Sequence, residues 1–212
     1  MRRARYNRTA AAGGPPAPTH ASHSSYQYLL ADAPMKNILA TQPRYNRPAI
    51  AFHWLIVLLV ALAYLAIEIR GPKGTDSRTF WTSVHFAAGT LVLTLSILRV
   101  LWRFSSRRPD PLPQPFVLAL LAKLAHLMLY LFTLGQPLLG IAFVNMGGHP
   151  VEITPLHLSF TLFGPNPALR GPLKETHEWL GNAFYYVIAL HALAALWHHF
   201  VKRDATLRRI LP

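Results

Sequence analysis

Four stretches of this chain stay apolar for so long that they restrict it to helices buried in protein or in lipid. Ala49 to Ile67 runs nineteen residues with His53 as the one side chain able to charge near neutrality, and Phe80 to Leu98 runs nineteen more with only His85. A third stretch, Phe116 to Val144, is interrupted by Lys123, His126 and the Gln136-Pro137 pair, and a fourth, Trp179 to Val201, contains His191, His198 and His199. About twenty apolar residues suffice to cross the hydrocarbon core of a bilayer. A soluble helix would bring polar residues round at a 3.6-residue period, and these stretches do not. They predict an all-α integral membrane four-helix bundle. Composition agrees, since 52% of residues are apolar and 14% charged, where soluble domains carry about 25% charged residues. The absence of cysteine excludes disulfides, iron–sulfur clusters and a thiolate nucleophile, so a bound metal must be held by histidine, carboxylate or methionine.

Residues 1–40 mix Arg, Ala, Gly, Pro, Ser and Thr without an apolar period. They cannot bury enough surface to offset the entropy of ordering, and they are expected to be a disordered tail without chemistry, ahead of a four-helix transmembrane domain at 41–212. The net charge of +13 alone would allow nucleic acid, an anionic membrane or an anionic substrate as partner. Its distribution favours topology. Lys36, Arg44, Arg47, Arg99, Arg103, Arg107, Arg108, Lys123, Lys202, Arg203, Arg208 and Arg209 fall at one end of the four stretches, against Arg70, Lys73, Arg78, Arg170 and Lys174 at the other. Twelve against five predicts both termini in the cytoplasm and argues against a nucleic-acid partner.

An ionisable group inside a spanning helix is costly enough to point to function. His53, near the start of the first stretch, and His191, in the last half of the antiparallel fourth, share a depth; His85 and His177 share the opposite one. From His177 to His191 the helix advances fourteen residues, about 40° short of four turns and about 21 Å of rise. Both therefore face the same way at opposite ends of the membrane. A single histidine in a bundle is commonly a hydrogen-bonded core residue, but two depth-matched pairs suit two stacked bis-histidine haems. Such haems have no open iron position, which favours electron transfer over oxygen binding. His126 has no evident partner at its level, His149 and His157 fall in the third loop, and His20 and His23 in the tail.

The segments Ala51-Phe52-His53-Trp54-Leu55, Val84-His85-Phe86-Ala87-Ala88-Gly89, Thr176-His177-Glu178 and Leu190-His191-Ala192 through Trp197-His198-His199, in this order and spacing, resemble the bacterial four-helix cytochrome b561 family over residues 42–212. Ile69-Arg70-Gly71, Lys174 and the ending Lys202-Arg203-Asp204-Ala205-Thr206-Leu207 are similar to its superoxide oxidase branch, a di-haem superoxide:ubiquinone oxidoreductase. The resemblance implies two haem b groups on His53, His85, His177 and His191, ubiquinone as electron acceptor, and a multi-pass protein of the bacterial inner membrane. The forty-residue leader and the Pro- and Gly-rich third loop depart from the branch.

On that reading superoxide, an anion, reaches the outer haem by way of Arg70, Lys73, Arg78, Arg170 and Lys174, with Lys174, three residues before His177, and Arg70 foremost. Headgroup anchoring is the alternative role of such cations. His198, seven residues past His191 and about 20° short of two turns from it, is placed to hydrogen-bond a quinone. It could equally be an interfacial histidine at the negative end of the helix dipole. The competing function is an electron-relay cytochrome b subunit that docks a soluble or membrane redox partner. A metal or proton transporter is disfavoured because none of the eight acidic residues lies deep in a stretch.

Overall fold

The computed structural model describes residues 44–107 and 109–212; the tail expected at 1–40 lies outside them. Among the described residues four helices are long and apolar enough to cross a membrane: α1 Arg47–Ile69, α2 Asp76–Ser105, α3 Phe116–Met146 and α4 Pro167–Trp197. α4 runs directly into a π-helical turn, His198–Lys202. Large apolar side chains cover the outside of the bundle, with Leu58, Leu127, Leu190 and Phe200 all exposed. Helices apolar on every face with so little of that surface covered are built for lipid rather than water.

Local chemistry fixes the helix ends. The Asn46 side chain caps α1 by accepting from the Ala49 amide at 3.1 Å and from the Trp102 indole at 3.1 Å, tying the start of α1 to the end of α2. Thr75 caps α2 by accepting from the Arg78 amide at 3.3 Å, and Asp76 in the first turn suits the positive end of the dipole. Pro137 sits inside α3, which continues through it to Met146.

α4 begins earlier than the apolar pattern predicts. It starts at Pro167, twelve residues before Trp179, and carries Pro172 in its second turn. Pro167 stands at the first position, where the missing amide hydrogen has no intrahelical partner, whereas Pro172 lies inside the helix and removes one backbone bond. His177 therefore lies about three turns inside a helix, not at its start.

α1 packs closely on α2, α2 on α3, and α3 on α4. Small buried residues, Ala66, Ala88 and Ser96, permit the close approaches. α1 and α4 meet chiefly through side chains: the Tyr64 hydroxyl donates to the Gly181 carbonyl at 2.8 Å, its ring lies 4.2 Å from Tyr185, and Tyr185 donates to Glu68 at 3.0 Å.

The two ends of the bundle differ. At the hairpin end, the third loop forms an antiparallel pair, β1 Val151–Ile153 with β2 Leu158–Phe160. Val151 and Ile153 are buried, and Ser83 of α2 accepts from the Thr154 amide at 2.8 Å. Asn145, 1% exposed, donates to the His149 carbonyl and accepts from the Leu162 amide, so the loop is pinned to the end of α3. At the terminal end, Arg203 adopts the left-handed conformation, φ 55°, and turns the chain back across the helix ends. The Tyr45 amide donates to Arg209, the Trp54 indole to Ile210 at 2.8 Å, Arg44 to Leu211 and Pro212, and Arg209 to Asp110 at 2.7 Å.

Candidate functional site

The four histidines singled out in the sequence come together as two pairs. His85 and His177 face one another near the hairpin end with ring centroids 6.4 Å apart, and His53 and His191 near the terminal end with centroids 6.5 Å apart. All four rings are half-buried. A metal bonded to one nitrogen of each imidazole at about 2 Å, with about 1 Å more from nitrogen to ring centre on each side, requires centroids about 6 Å apart. Both pairs have the separation that two imidazoles holding one metal ion between them would need.

The hydrogen bonds of the hairpin-end pair fix the tautomer that a ligand requires. His85 donates through Nδ1 to the Ala63 carbonyl at 2.8 Å, and His177 through Nδ1 to the Gln136 carbonyl at 3.1 Å. Only a protonated Nδ1 can donate to a carbonyl, which leaves the Nε2 lone pair for a metal. Gln136 also donates from its side-chain amide to the His177 carbonyl at 2.6 Å. A Cβ on Gly140 would stand 3.1 Å from His177 Cε1, so glycine lets this ring lie flat against α3. In the sequence the Gln136-Pro137 pair reads as an interruption of a span. In the structure it anchors one of the four histidines; the signal was an amide placed in an otherwise apolar stretch.

The terminal-end pair has different surroundings. His53 Nδ1 is buried without a hydrogen-bond partner. His126, expected to stand alone at its level, instead lies 5.5 Å from His191 between ring centroids, with its own Nδ1 bonded to the Ala122 carbonyl. α3 starts at Phe116, as the apolar stretch predicts; the approach of His126 to His191 is set by how α3 is rotated against α4, which helix rise alone does not give. Between the two pairs, Phe132 and Phe184 stack with centroids 4.2 Å apart and planes 6° apart. Phe184 is seven residues from both His177 and His191, about two turns from each.

Two further features stand at opposite ends. At the hairpin end, Arg70 lies near His85. Arg78 donates to the Gly71 carbonyl, and Arg170 lies against Gly147. Lys174 is engaged: its ammonium is 2.9 Å from the Glu178 carboxylate one turn on. Both partners are half-exposed, so this pair contributes little to stability.

At the terminal end, His198 Nδ1 bonds Asp204 at 2.5 Å, with the Thr206 hydroxyl 3.3 Å away. Partial burial pushes the Asp204 carboxyl up, but hydrogen bonds from Thr206 and His198 outweigh this and hold it below the usual carboxylate range. A carboxyl depressed in the folded state stabilises the fold above its unfolded pKa of about 3.9, and this stabilisation is lost as pH falls through the folded value. The turn carrying Asp204 and Thr206 should therefore keep its amide protection at neutral and mildly acidic pH and open only in stronger acid. Asp204→Asn should raise hydrogen exchange of residues 204–209 already at neutral pH and abolish the acid step. Exchange that is equal in the two proteins at every pH would remove Asp204 from this role.

Comparison with known proteins gives one consistent answer. The family profile described as prokaryotic cytochrome b561 matches residues 44–212. Cytochrome b561 homolog 1 of Escherichia coli (strain K12) is 35% identical over 172 residues, covering 80% of this chain and 97% of that protein. A probable superoxide oxidase, CybB, of Yersinia pestis is 35% identical over 176 residues, 80% of this chain and 96% of its own length. Cytochrome b561 homolog 2 of Escherichia coli (strain K12) is 30% identical over 181 residues, 81% and 93%.

Proposed function

The chain belongs to the prokaryotic cytochrome b561 family, and from that membership we propose that this membrane b-type cytochrome takes electrons from superoxide at its hairpin end and delivers them to ubiquinone at its terminal end. The observation that carries the reading is the stacking of two histidine pairs with centroids 6.4 and 6.5 Å apart at opposite ends of one bundle. His85 with His177 and His53 with His191 would each hold one haem b, and the two haems when bound supply one-electron carriers in line across the membrane. With both termini in the cytoplasm of a bacterial inner membrane, the hairpin end is the outer face. The relative named a probable superoxide oxidase, 35% identical to this chain, supports superoxide as the donor.

The chain's own groups have distinct tasks. Arg70 beside His85, with Lys73, Arg78, Arg170 and Lys174 around it, makes the outer rim cationic and raises the encounter rate of an anion. The Lys174–Glu178 pair reduces the Lys174 share and leaves Arg70 the leading cation. Each superoxide gives up one electron and leaves as dioxygen. Two electrons and two protons from the cytoplasm convert ubiquinone to ubiquinol. His198 is the proton-handling group: Asp204 holds its Nδ1, which leaves Nε2 to meet a quinone carbonyl.

The purified protein in detergent, given superoxide and a short-chain ubiquinone, should form quinol with about two superoxides consumed for each, the ratio fixed by a two-electron acceptor. Quinol formation that needs an added membrane or soluble redox partner would assign the chain to the electron-relay class instead.

A further inference from the structure

Arg99 and Arg103 are two cations to which this function gives no role. Arg99 lies fourteen residues beyond His85 on α2, the same interval that separates His177 from His191 on α4. It therefore stands about 40° short of four turns and about 21 Å from His85, on the inward face at the level of the second histidine pair. Arg99 lies near both His53 and His191. Among the described residues no carboxylate lies within ion-pair distance of Arg99 or Arg103. Both guanidinium groups instead converge on one ring, that of Tyr130 on α3, each 5.8 Å from its centroid.

Two like charges on a single tyrosine, one of them half-buried in a spanning helix, are an unbalanced arrangement. Headgroup anchoring would splay the side chains outward, and this pair is gathered. A ring quadrupole attracts a cation but supplies no negative charge to separate two of them. An oxyanion between the two forks would supply it, and arginine is the side chain suited to bidentate capture of carboxylate or phosphate.

We propose that Arg99 and Arg103, set by Tyr130, form an oxyanion site beside the His53–His191 pair. The occupant favoured by its level and facing is the propionate carboxylates of the haem at that pair, a choice that rests on the reading of those histidines as ligands. A phospholipid phosphate is the other source of the same chemistry.

The test is an anaerobic redox titration of the full chain, followed optically, in a phosphate-free maltoside detergent and in nanodiscs containing phosphatidylglycerol. For wild type, Arg99→Gln, Arg103→Gln and Arg99→Lys, the two haem components are resolved. Removing a cation beside a centre that gains an electron disfavours reduction. Each Gln variant should therefore shift the inner component's reduction equilibrium about tenfold toward the oxidised form, about 59 mV for a one-electron couple. The outer component should be unmoved, and Arg99→Lys should recover part of the shift. The same shift with and without phospholipid assigns the site to the haem carboxylates. A wild-type inner component that differs between detergent and phospholipid, with the difference lost in the Gln variants, assigns it to lipid phosphate. An inner component that neither variant nor lipid moves overturns the site. Should Arg99→Gln lose the inner haem by misfolding, Arg103→Gln alone decides, because Arg103 is exposed: a downward shift supports the site and its absence refutes it. Failure of the histidine assignment looks different, as wild-type protein with fewer than two components.

Discussion

Alanine in place of His53 or His191 is expected to cut the haem content from about two to about one per chain and to remove one spectral component, while alanine at His85 or His177 removes the other. The size of the effect follows from the geometry. Each level offers a single pair of imidazoles, with ring centres 6.4 or 6.5 Å apart, so a haem held there would lose one of the two residues that hold it. His126→Ala should keep both haems, because His126 already bonds Ala122 and lies edge-on to His191. Pyridine haemochrome assay and low-temperature spectra of the five variants decide the matter. Loss of the same component from substitutions at both levels would show that the pairs are wrongly drawn.

His198→Ala should slow electron exit to quinone about 10²–10⁴-fold, the usual contribution of a positioned proton donor. Haem reduction by superoxide should stay fast. Arg70→Glu should do the reverse, slowing superoxide encounter about tenfold and flattening its salt dependence, since salt screens long-range attraction. Lys174→Glu should act in the same direction more weakly, because Glu178 already neutralises that lysine. Stopped-flow traces of each variant with superoxide and with quinol separate the two halves. Equal slowing of both half-reactions by one substitution would defeat a two-sided scheme.

Much of this was legible in the sequence because long apolar stretches and isolated histidines obey simple periods. The two histidine pairs needed only helix rise and antiparallel order. The early start of α4 was hidden because residues 167–178 carry charges and prolines, which look like loop; Pro167 suits a first helical position, but Pro172 stands inside the helix, where the sequence argues against one. The Lys174–Glu178 pair could have been read directly from its four-residue spacing. Three features were beyond reach. The crossed bonds of Gln136 with His177, the approach of His126 to His191 and the convergence of Arg99 and Arg103 on Tyr130 all depend on how one helix is rotated against another. No single stretch encodes that rotation.

The returning segment after Arg203 has a consequence for biogenesis. Its bonds join Arg44, Tyr45 and Trp54 to residues 209–212, positions more than 150 apart in the chain. They form only after all four helices have left the ribosome and entered the bilayer. Until then α1 and α4 lack this tie and the terminal end stays open. Membrane insertion and closure of this end are thus separate events in time, and a chain arrested before residue 204 should sit in the membrane with its four helices in place and one end unlaced.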